Sequence, residues 1–471
     1  MPKKYHIHTK NADPRFPPVG KYSTVEFREN CAGSCRLCVK KKCVFNVFKD
    51  DFTHWGNMTE PEYLYVCKSC YRCVQECTKG IFSMSTNPEY RTLGDDYWTP
   101  DIINSTWAQA HTGKIPVSGA GYRGPFVGEG FDSIWTDMSE IVRPTRDGIH
   151  GREYINTTVE LSRRPTRLKF NADMSLSADL DLPPILEIPL PVVFQQPEFG
   201  VLSRNVLISI ARAAHALDTL LFIKPEDMAP DLAEYASSLV PCVTRGNYKT
   251  HIDLIVKSRM VELAYEPGIS QEFAALRCIK PGLHISVGVP LDKQAAERAV
   301  ELAGADVDTI HFYGSDRGRE VGVNGSRYMK DMIREVHLGL LKGRTRDKVN
   351  LVFAGGMAMA EHMAKSLICG ADAVAIDLPL IVALECRLCG RCKKNKSCPV
   401  KLEDVKPEWA AQRIENLMSA WRNQLIEVMG ACGIREARRI RGEVGRSLWF
   451  EDLERESFGP LFGTRKVQGI G

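Results

Sequence analysis

Clustered cysteines carry the clearest chemistry in this sequence. The chain has sixteen cysteines in 471 residues, and twelve of them fall into three tight groups. Thiols at such short spacing can close round one metal centre, whereas disulfides are disfavoured in a reducing cytosol. The sequence therefore predicts three metal-binding cysteine sites. The first group is Cys31, Cys35, Cys38 and Cys43, the second is Cys67, Cys70, Cys73 and Cys77, and the third is Cys386, Cys389, Cys392 and Cys398.

The second group has the spacing of a bacterial ferredoxin motif, in which three thiolates hold one [4Fe–4S] cubane and the fourth reaches the other cubane. The alternative is a pair of zinc sites, each held by four cysteines. Two runs of three closely spaced cysteines favour cubanes, because zinc sites usually use two separated cysteine pairs. We expect Cys31, Cys35, Cys38 and Cys77 at one cluster, and Cys67, Cys70, Cys73 and Cys43 at the other.

A possible phosphate site precedes the third cysteine group. An apolar run over 351–354 ends in Gly355 and Gly356, a helical segment follows, and 370–376 reads as the next buried strand. This βαβ unit puts the glycine pair at the carboxyl end of a strand. Backbone N–H groups can approach a phosphate closely at such a turn, so we interpret Gly355 and Gly356 as phosphate-binding residues.

The elements that must position these groups begin near Pro191. From there, eight short apolar or β-branched runs alternate with amphipathic helical stretches, which is typical of parallel βαβ units. Eight such strands with right-handed crossovers close into a (β/α)8 barrel, and an open doubly wound sheet is the alternative. A long helix over 408–430 and a short basic helix over 435–441 should follow. The eight runs are 192–195, 220–223, 239–243, 261–265, 284–289, 309–313, 350–354 and 373–377.

The chain is longer than one core usually supports, so we expect several domains of overall α/β class. The barrel is the largest of them, with a ferredoxin-like iron–sulfur module before it and a helical segment after it. The predicted divisions are an extended arm (1–30), a ferredoxin-like module with two clusters (31–80), a connecting layer (81–190), the (β/α)8 barrel (191–385), the third cluster loop (386–398), and a helical C-terminus with a tail (399–471).

Composition excludes some kinds of partner. The 62 Lys and Arg residues against 58 Asp and Glu leave a charge of +4 without a long run of one sign, so nucleic acid is not an expected partner. No stretch approaches the roughly 18 consecutive apolar residues of a membrane span, and the amino terminus lacks the apolar core of a signal peptide. We expect a cytoplasmic protein without a membrane span. The four remaining cysteines, Cys242, Cys278, Cys369 and Cys432, should be buried thiols.

Several landmarks, taken together, carry a family resemblance: 115–122, 199–203, 314–318, 354–356, 370–376 and the cysteine cluster ending in Cys398 and Pro399. Over residues 110–445 the chain resembles the FMN-binding synthase domain of glutamate synthase, in the stand-alone archaeal and bacterial form with a ferredoxin module in front. The resemblance implies FMN at the barrel mouth and reduction of 2-iminoglutarate, formed from 2-oxoglutarate and ammonia, to glutamate. We expect Gly355, Gly356, Gly314 and Gly318 to contact FMN. Lys224 and Asp316 are candidates for orienting the flavin ring or the substrate, with structural ion pairs as the alternative, and Lys224 lies in a loop that departs from the family pattern.

The resemblance also bears on the third cysteine group. In the family this element holds a three-iron cluster on three cysteines, to which Cys386, Cys392 and Cys398 are similar. Cys389 would supply a fourth ligand, so we expect a [4Fe–4S] centre here and three [4Fe–4S] clusters in the whole chain. Exposed clusters of this kind would be oxygen-sensitive, which favours an anaerobic host.

The chain departs from the family pattern at the barrel mouth. The strand-five lysine beside the flavin is replaced by Gly288, and Asp377 follows the last strand, where a carboxylate would repel a phosphate. Two hypotheses follow. In one, the protein is an iron–sulfur flavoenzyme that relays electrons to FMN and reduces a small imino or keto acid. In the other, it is a non-catalytic electron-transfer subunit of a larger redox complex. Both need other redox subunits, such as a reductase or another electron donor.

Overall fold

The centre of the molecule is a closed barrel of eight parallel strands. In chain order the strands are β1 (Tyr22–Val25), β2 (Met84–Thr86), β3 (Ile134–Thr136), β4 (Val159–Glu160), β5 (Glu187–Ile188), β6 (Val192–Gln195), β7 (Leu221–Ile223), β8 (Leu239–Val243), β9 (Met260–Ala264), β10 (His284–Pro290), β11 (Thr309–Tyr313), β12 (Asn350–Ala354), β13 (Ala373–Ile376) and β14 (Ser447–Trp449). The barrel runs from β6 to β13 in sequence order and closes by pairing β13 with β6. The predicted (β/α)8 barrel is confirmed, and the open sheet is excluded.

This architecture is that of a computed structural model, which describes residues 5–16, 19, 21–25, 70–76, 84–115, 128–136, 155–163, 170–175, 184–198, 200, 202–322 and 326–463. Each barrel strand begins and ends within one residue of its predicted position. Periodic apolar runs determine these bounds because both faces of a parallel strand are buried. Among the described helices, none is both long enough and apolar enough to span a membrane.

The helices pack round the barrel and beyond it. They are α1 (Arg72–Gln75), α2 (Pro100–Thr112), α3 (Arg204–Ala216), α4 (Ile252–Lys257), α5 (Glu272–Ile279), α6 (Ala295–Ala303), α7 (Met329–Lys342), α8 (Ala360–Cys369), α9 (Leu378–Ala383), α10 (Pro407–Ala431), α11 (Phe450–Leu453) and α12 (Gly459–Phe462). Between β7 and β8 the chain forms a 3-10 stretch, Pro230–Ser238, in place of an α-helix. The predicted basic helix over 435–441 is wrong, because only the 3-10 turn Ala437–Arg439 forms there. Gly433 and Gly442, both at positive φ, flank this turn and limit its length.

The amino-terminal end of the barrel is closed by polar side chains. Asp372 accepts hydrogen bonds from Arg346 Nη2 at 2.6 Å, Arg441 Nη1 at 2.9 Å and the backbone N–H of Leu351 at 2.8 Å. Burial opposes ionisation of this carboxyl, but the two arginines outweigh it and lower the pKa of Asp372. Since Arg441 lies beyond α10, this ion pair fastens the C-terminal segment to the base of the barrel.

Helix α10 joins the two ends of the chain. Arg413 is fully buried and donates to the carbonyl oxygens of Ala383 at 2.5 Å, Ala12 at 2.9 Å and Trp107 at 3.4 Å. The side chain of Asn416 donates to Lys10 O at 2.7 Å. Residues 5–16 therefore lie against α10, which supplies partners for backbone groups that an extended segment leaves unpaired.

The four isolated cysteines differ in exposure. Cys369 and Cys432 are buried, and Cys242 is partly buried. Cys278 is exposed, so the prediction of a buried thiol is wrong there. It lies on α5, which buries only Phe273 and Leu276 and leaves its other positions outside the core.

Candidate site at the barrel mouth

The interior of the barrel is filled at its axis by two rings. His311 on β11 and Phe222 on β7 have ring centroids 4.6 Å apart. These strands lie four positions apart in either direction round the closed sheet, so they face each other across the barrel. A ring contact between opposite strands can form only at the axis. His311 therefore lies in the lumen rather than on the outer face.

A buried carboxylate lies beside this histidine. Glu262 on β9 is 3% exposed and accepts hydrogen bonds from Ser286 Oγ at 2.9 Å and from the hydroxyl of Tyr313. Its Oε2 lies 2.9 Å from His311 Nδ1, and the thiol of Cys242 points at its Oε1 from 3.7 Å. Burying a carboxylate is unfavourable unless donors surround it, and here four groups that can donate converge on one side chain.

The other ring nitrogen of His311 has no partner. Nδ1 is the ring nitrogen that faces the carboxylate. Nε2 is buried and forms no hydrogen bond with any residue that the structure describes. An unpaired polar atom in a protein interior is uncommon, so this nitrogen indicates a place for a water molecule or a ligand.

Gly288 on β10 faces the same cluster. A Cβ atom there would lie 3.0 Å from Tyr313 Cε2 and 3.2 Å from Glu262 Oε1. Both contacts are tighter than ordinary van der Waals packing. The tyrosine and glutamate therefore fill the space in which a strand-five side chain would begin.

Acidic groups also line the carboxyl rim of the barrel. Asp377 Oδ1 accepts the backbone N–H of Leu378 at 2.6 Å, which caps α9 directly after the last barrel strand. Burial, with a smaller contribution from the charges of Asp316 and Glu198, raises the pKa of Asp377 to about 6. Lys224 Nζ lies 3.8 Å from Glu198 Oε1 and is largely exposed. Of the two residues expected to orient a ring or substrate, Lys224 thus forms a surface ion pair.

Asp316 is held mainly through its backbone. Its carbonyl oxygen accepts the indole N–H of Trp98 at 2.9 Å, while its side chain is exposed. This contact fixes the loop after β11 in position. It leaves the carboxylate of Asp316 free to add negative charge to the rim.

The four glycines expected at a phosphate come together in two adjoining loops. Gly355 and Gly356 have φ values of 104° and 65°, at the carboxyl end of β12. A Cβ atom on Gly355 would lie 2.6 Å from Gly314 O, and one on Gly356 would lie 2.1 Å from Gly318 N. Glycine is therefore required at these positions partly because the two loops pack too closely to leave room for a side chain. Glycine leaves the backbone here without side chains of its own, which suits a phosphate group. The hydroxyl of Tyr97 donates to Gly356 O at 2.5 Å, so this side chain lies against the glycine loops.

The third cysteine loop follows α9. Cys386 is buried, Cys389 is exposed, and Cys392 and Cys398 are partly buried. Burial, with smaller contributions from the other three sulfurs, raises the pKa of the Cys386 thiol to about 12, so the four cysteines lie near one another. No set of three or more His, Cys, Asp or Glu residues in the described ranges is already arranged round a metal position. Residues at positive φ make the loop tight: Glu385, Leu388, Gly390, Asn395 and Lys401.

The chain on either side of the first two cysteine groups contacts this loop. Before them, Arg15 donates its backbone N–H to Glu385 Oε1 and its Nη2 to Val400 O, both at 2.8 Å. After them, Gly94 N donates to Arg387 O at 3.1 Å. Strands β1 and β2 pair antiparallel between these two anchors. Of the eight cysteines in these groups, Cys70 is exposed and Cys73 lies in α1, while Cys31, Cys35, Cys38, Cys43, Cys67 and Cys77 lie outside the described residues.

Sequence reasoning missed the polar cluster in the lumen. Its members Glu262, Ser286 and His311 stand inside runs that were interpreted only as buried strands, and Cys242 was interpreted as an ordinary thiol. One signal was present, because each polar residue interrupts an otherwise apolar strand. The sequence does not show which of these polar residues contact one another, because the contacts depend on how neighbouring strands pair in the closed barrel.

Comparison with known proteins gives a family model and several relatives. The model described as a conserved region in glutamate synthase matches residues 243–435, from the end of β8 past α10. An archaeal-type glutamate synthase [NADPH] from Dehalococcoides mccartyi is 24% identical over 90% of this chain and 94% of its own. An archaeal glutamate synthase [NADPH] from Archaeoglobus fulgidus is 25% identical over 92% of this chain and 96% of its own. The chain is thus similar to these proteins along most of its length.

Among solved structures, a variant of flavocytochrome b2 with pyruvate bound aligns with a TM-score of 0.45 and 13% identity. The alignment covers 79% of this chain and 93% of that one.

Proposed function

We propose that the protein is an oxidoreductase of the glutamate synthase type, in which iron–sulfur clusters pass electrons to a reaction site at the barrel mouth. The observation that carries this proposal is the similarity to archaeal-type glutamate synthases over about nine-tenths of both chains. The closed barrel supports it, because enzymes of this fold react substrates at the carboxyl ends of the strands. The reaction is reduction of a small imino or keto acid, with 2-oxoglutarate and ammonia giving glutamate as the family reaction.

The electron route in this proposal uses three [4Fe–4S] clusters. Cysteine spacing supports two of them in the N-terminal groups and one on the loop that contains Cys386 and Cys398. The contacts of Arg15 and Gly94 support the order of transfer, because they tie both flanks of the N-terminal groups to that loop. The electron donor is another redox subunit or a reductase. NADPH, which the relatives' names specify, is the first reductant to test.

FMN at the barrel mouth is the cofactor of the proposal. Gly355 and Gly356, with Gly314 and Gly318 beside them, offer backbone without side chains at the carboxyl end of β12 and would hold its phosphate. FMN, when bound, supplies hydride transfer to a carbon–nitrogen or carbon–oxygen double bond. The chain's own side chains would then orient the substrate and control protons. Glu262 holds the ring of His311 in place through Nδ1, and the hydroxyl of Tyr313 donates to the same carboxylate.

A second candidate is a non-catalytic electron-transfer subunit of a larger complex. The rim favours it, because the buried carboxyl of Asp377 caps α9 where a phosphate would otherwise meet free N–H groups. The lumen also favours the electron-transfer subunit, because Glu262 and Tyr313 fill the space beside Gly288 in which a strand-five side chain would begin. In this case the three clusters and the contacts between their loops would be the functional parts.

One preparation tests both candidates. The native protein is purified without oxygen, and iron, acid-labile sulfide and flavin are measured on the same sample. About twelve iron atoms, as three four-iron clusters require, together with about one FMN per chain support the flavoenzyme and justify assays with 2-oxoglutarate, ammonia and NADPH. The same iron content without flavin contradicts the flavoenzyme and supports the electron-transfer subunit. Zinc in place of iron contradicts both.

A further inference from the structure

A short segment joins the third cysteine loop to the two glycine loops. This segment, residues 94–98, lies between β2 and α2 and is called the strap below. At its start, Gly94 donates its N–H to Arg387 O at 3.1 Å, and Arg387 directly follows Cys386 in the chain. Arg387 also forms an ion pair with Glu89, just before the strap. The strap therefore begins on the loop that carries the third cysteine group.

The other end of the strap contacts both glycine loops. The hydroxyl of Tyr97 donates to Gly356 O at 2.5 Å, and a Cβ atom on Gly318 would lie 2.8 Å from the same hydroxyl. The indole N–H of Trp98 donates to Asp316 O at 2.9 Å. One short segment thus reaches the loop after β11 and the loop after β12.

The strap is held in one shape by its own hydrogen bonds. Asp95 Oδ1 accepts the backbone N–H groups of Tyr97 and Trp98, both at 2.8 Å, and the N–H of Asp95 donates to Trp98 O at 3.1 Å. Gly94 has a φ of 62°, and a Cβ atom there would lie 1.8 Å from Trp98 O, so the turn requires glycine. Asp95 Oδ2 also lies 3.2 Å from Arg317 Nη2. A closed, rigid turn of this kind can carry coupling between the loops at its two ends.

The hydrogen bond from Tyr97 controls the direction of a backbone N–H at the glycine pair. The N–H groups of Gly355, Gly356 and Met357 meet no backbone acceptor among the residues that the structure describes. All three residues are buried, and a phosphate is a partner that would satisfy such donors. Because the peptide unit is planar, holding Gly356 O on the side of Tyr97 aims the Met357 N–H away from Tyr97.

We propose that the strap couples the third cysteine loop to the glycine loops, with Tyr97 as the positioning residue. A cluster held by the third cysteine group fixes Arg387, and through it the strap, so that Tyr97 keeps the Met357 N–H in the direction that a phosphate needs. The inference rests on the proposed function, because it takes this loop to hold a cluster and the glycine loops to hold the phosphate of FMN. It adds a regulation of that site: loss of the third cluster weakens FMN binding, and by linkage bound FMN stabilises the third cluster.

Hydrogen exchange on flavin-free protein tests the coupling without FMN. Peptides that cover residues 351–360 are compared among the unsubstituted protein, Cys398→Ser, Tyr97→Phe and the double variant, with iron measured on the same samples. Tyr97→Phe should speed exchange in this segment by about fivefold, the size of one neutral hydrogen bond. Cys398→Ser should also speed it, because the strap loses its fixed anchor. Adding Cys398→Ser to Tyr97→Phe should change nothing further, because the coupling acts through the Tyr97 hydroxyl.

Quenching of FMN fluorescence measures the consequence for cofactor binding. Cys398→Ser and Tyr97→Phe should each raise the Kd for FMN by about fivefold or more, and the double variant should raise it no further than the weaker-binding single variant. If Cys398→Ser does not fold, Cys389→Ser, at the exposed cysteine of the same group, takes its place.

The matched control is Tyr5→Phe. The hydroxyl of Tyr5 also donates to a backbone carbonyl oxygen, that of Leu217, at 2.8 Å, but at the end of α3 and away from the strap. Both tyrosine variants lose one such bond, so their urea midpoints should shift alike, while Tyr5→Phe should leave exchange over 351–360 and the FMN Kd unchanged.

The outcomes separate this inference from the proposed function. Equal exchange in Tyr97→Phe and Tyr5→Phe, no effect of Cys398→Ser, or effects that add in the double variant would overturn the coupling. Coupled exchange in a protein that binds no FMN supports the strap and contradicts the flavoenzyme. FMN binding that is the same in the unsubstituted protein, Cys398→Ser and Tyr97→Phe supports the flavoenzyme and contradicts the strap.

Discussion

At the scale of single residues, Asp377 should set how well the mouth accepts the phosphate of the proposed FMN. Its carboxyl accepts the first N–H of α9, the group that a phosphate at a helix start would use. Burial raises its pKa to about 6, so it is mostly ionised at pH 7.5 and mostly neutral at pH 5. Two like charges a few ångströms apart near a protein surface repel by several kcal/mol. The state of this one proton should therefore control the affinity for FMN.

Replacing Asp377 with Asn should strengthen FMN binding. The amide oxygen can still accept the N–H of Leu378, but the charge is gone, so we expect the Kd to fall by about tenfold or more at pH 7.5. The phosphate of FMN itself titrates near pH 6 and affects both proteins. The advantage of Asp377→Asn over the unsubstituted protein should therefore shrink as the pH falls through about 6, because Asp377 is then neutral. Quenching of FMN fluorescence by cofactor-free protein measures both.

The control for this prediction is Asp404→Asn, at an exposed acid outside the mouth. It should bind FMN like the unsubstituted protein at both pH values. Equal affinities in the two variants would show that Asp377 does not face the phosphate.

Sequence reasoning predicted some residues of the site and missed others for a physical reason. The cysteines could be predicted from their spacing, because thiolate ligands of one metal centre must be near one another. The glycines could be predicted from their type, because tight loops need residues that adopt positive φ. Glu262 and His311 lie far apart in sequence and meet only across neighbouring strands of a closed sheet. A single polar residue in a strand pattern does not show whether it points into the barrel or outward.

At the scale of elements, α10 holds the extended N-terminal segment to the rest of the fold. Arg413→Ala would leave the carbonyl oxygens of Ala12, Trp107 and Ala383 without this donor. Each buried unpaired acceptor costs about 1 to 3 kcal/mol, so we expect a loss of about 3 to 5 kcal/mol in the free energy of unfolding. The urea midpoint measures this loss. Faster tryptic cleavage after Lys10 and Arg15 should accompany it, since the segment is released.

Arg439→Ala is the matched control, because Arg439 is an exposed arginine whose partner Glu436 lies three residues away. Such pairs contribute about 0.5 kcal/mol or less, so its urea midpoint should hardly move. Equal shifts in the two variants would contradict a special role for Arg413.

The base of the barrel depends on a second buried contact. Asp372→Asn would leave Arg346 without its carboxylate partner in the interior, and we expect a loss of about 3 to 5 kcal/mol at pH 7. The folded pKa of Asp372 is lowered, so its contribution is complete above the unfolded value near 4 and is lost as the pH falls through the folded value. The difference between variant and unsubstituted protein should therefore shrink in strong acid. Urea unfolding at pH 7 and at low pH measures it, with the exposed Asp452→Asn as the control.

The pattern of apolar residues predicted the barrel strands but not the structure after α10. The barrel strands were predicted within a residue because burial on both faces makes each one a mainly apolar run. The segment over 435–441 contains helix-forming arginines, yet Arg441 is drawn to Asp372 and Gly442 ends the turn. The ion pair between Arg441 and Asp372 thus helps to determine the structure of this segment, and the sequence of the segment alone does not predict that ion pair.

At the scale of the whole molecule, the third cysteine group should bind iron independently of the first two. Cys398→Ser removes one ligand of the third group and should lower the iron content from about twelve to about eight atoms per chain, since each [4Fe–4S] cluster has four. Sulfide should fall in proportion. Cys278→Ser, at an exposed cysteine outside the groups, should leave both values unchanged. An unchanged iron content in Cys398→Ser would contradict the third cluster.

The contact between Arg413 and Ala12 joins residues 401 positions apart in the chain. During translation at about 5 to 20 residues per second, the N-terminal segment waits roughly 20 to 80 seconds before α10 leaves the ribosome. Through that interval the first two cysteine groups exist without the surface on which their flanks finally rest. The first two cysteine groups are therefore synthesised well before the helix against which the N-terminal segment packs, and their separation along the chain sets this delay.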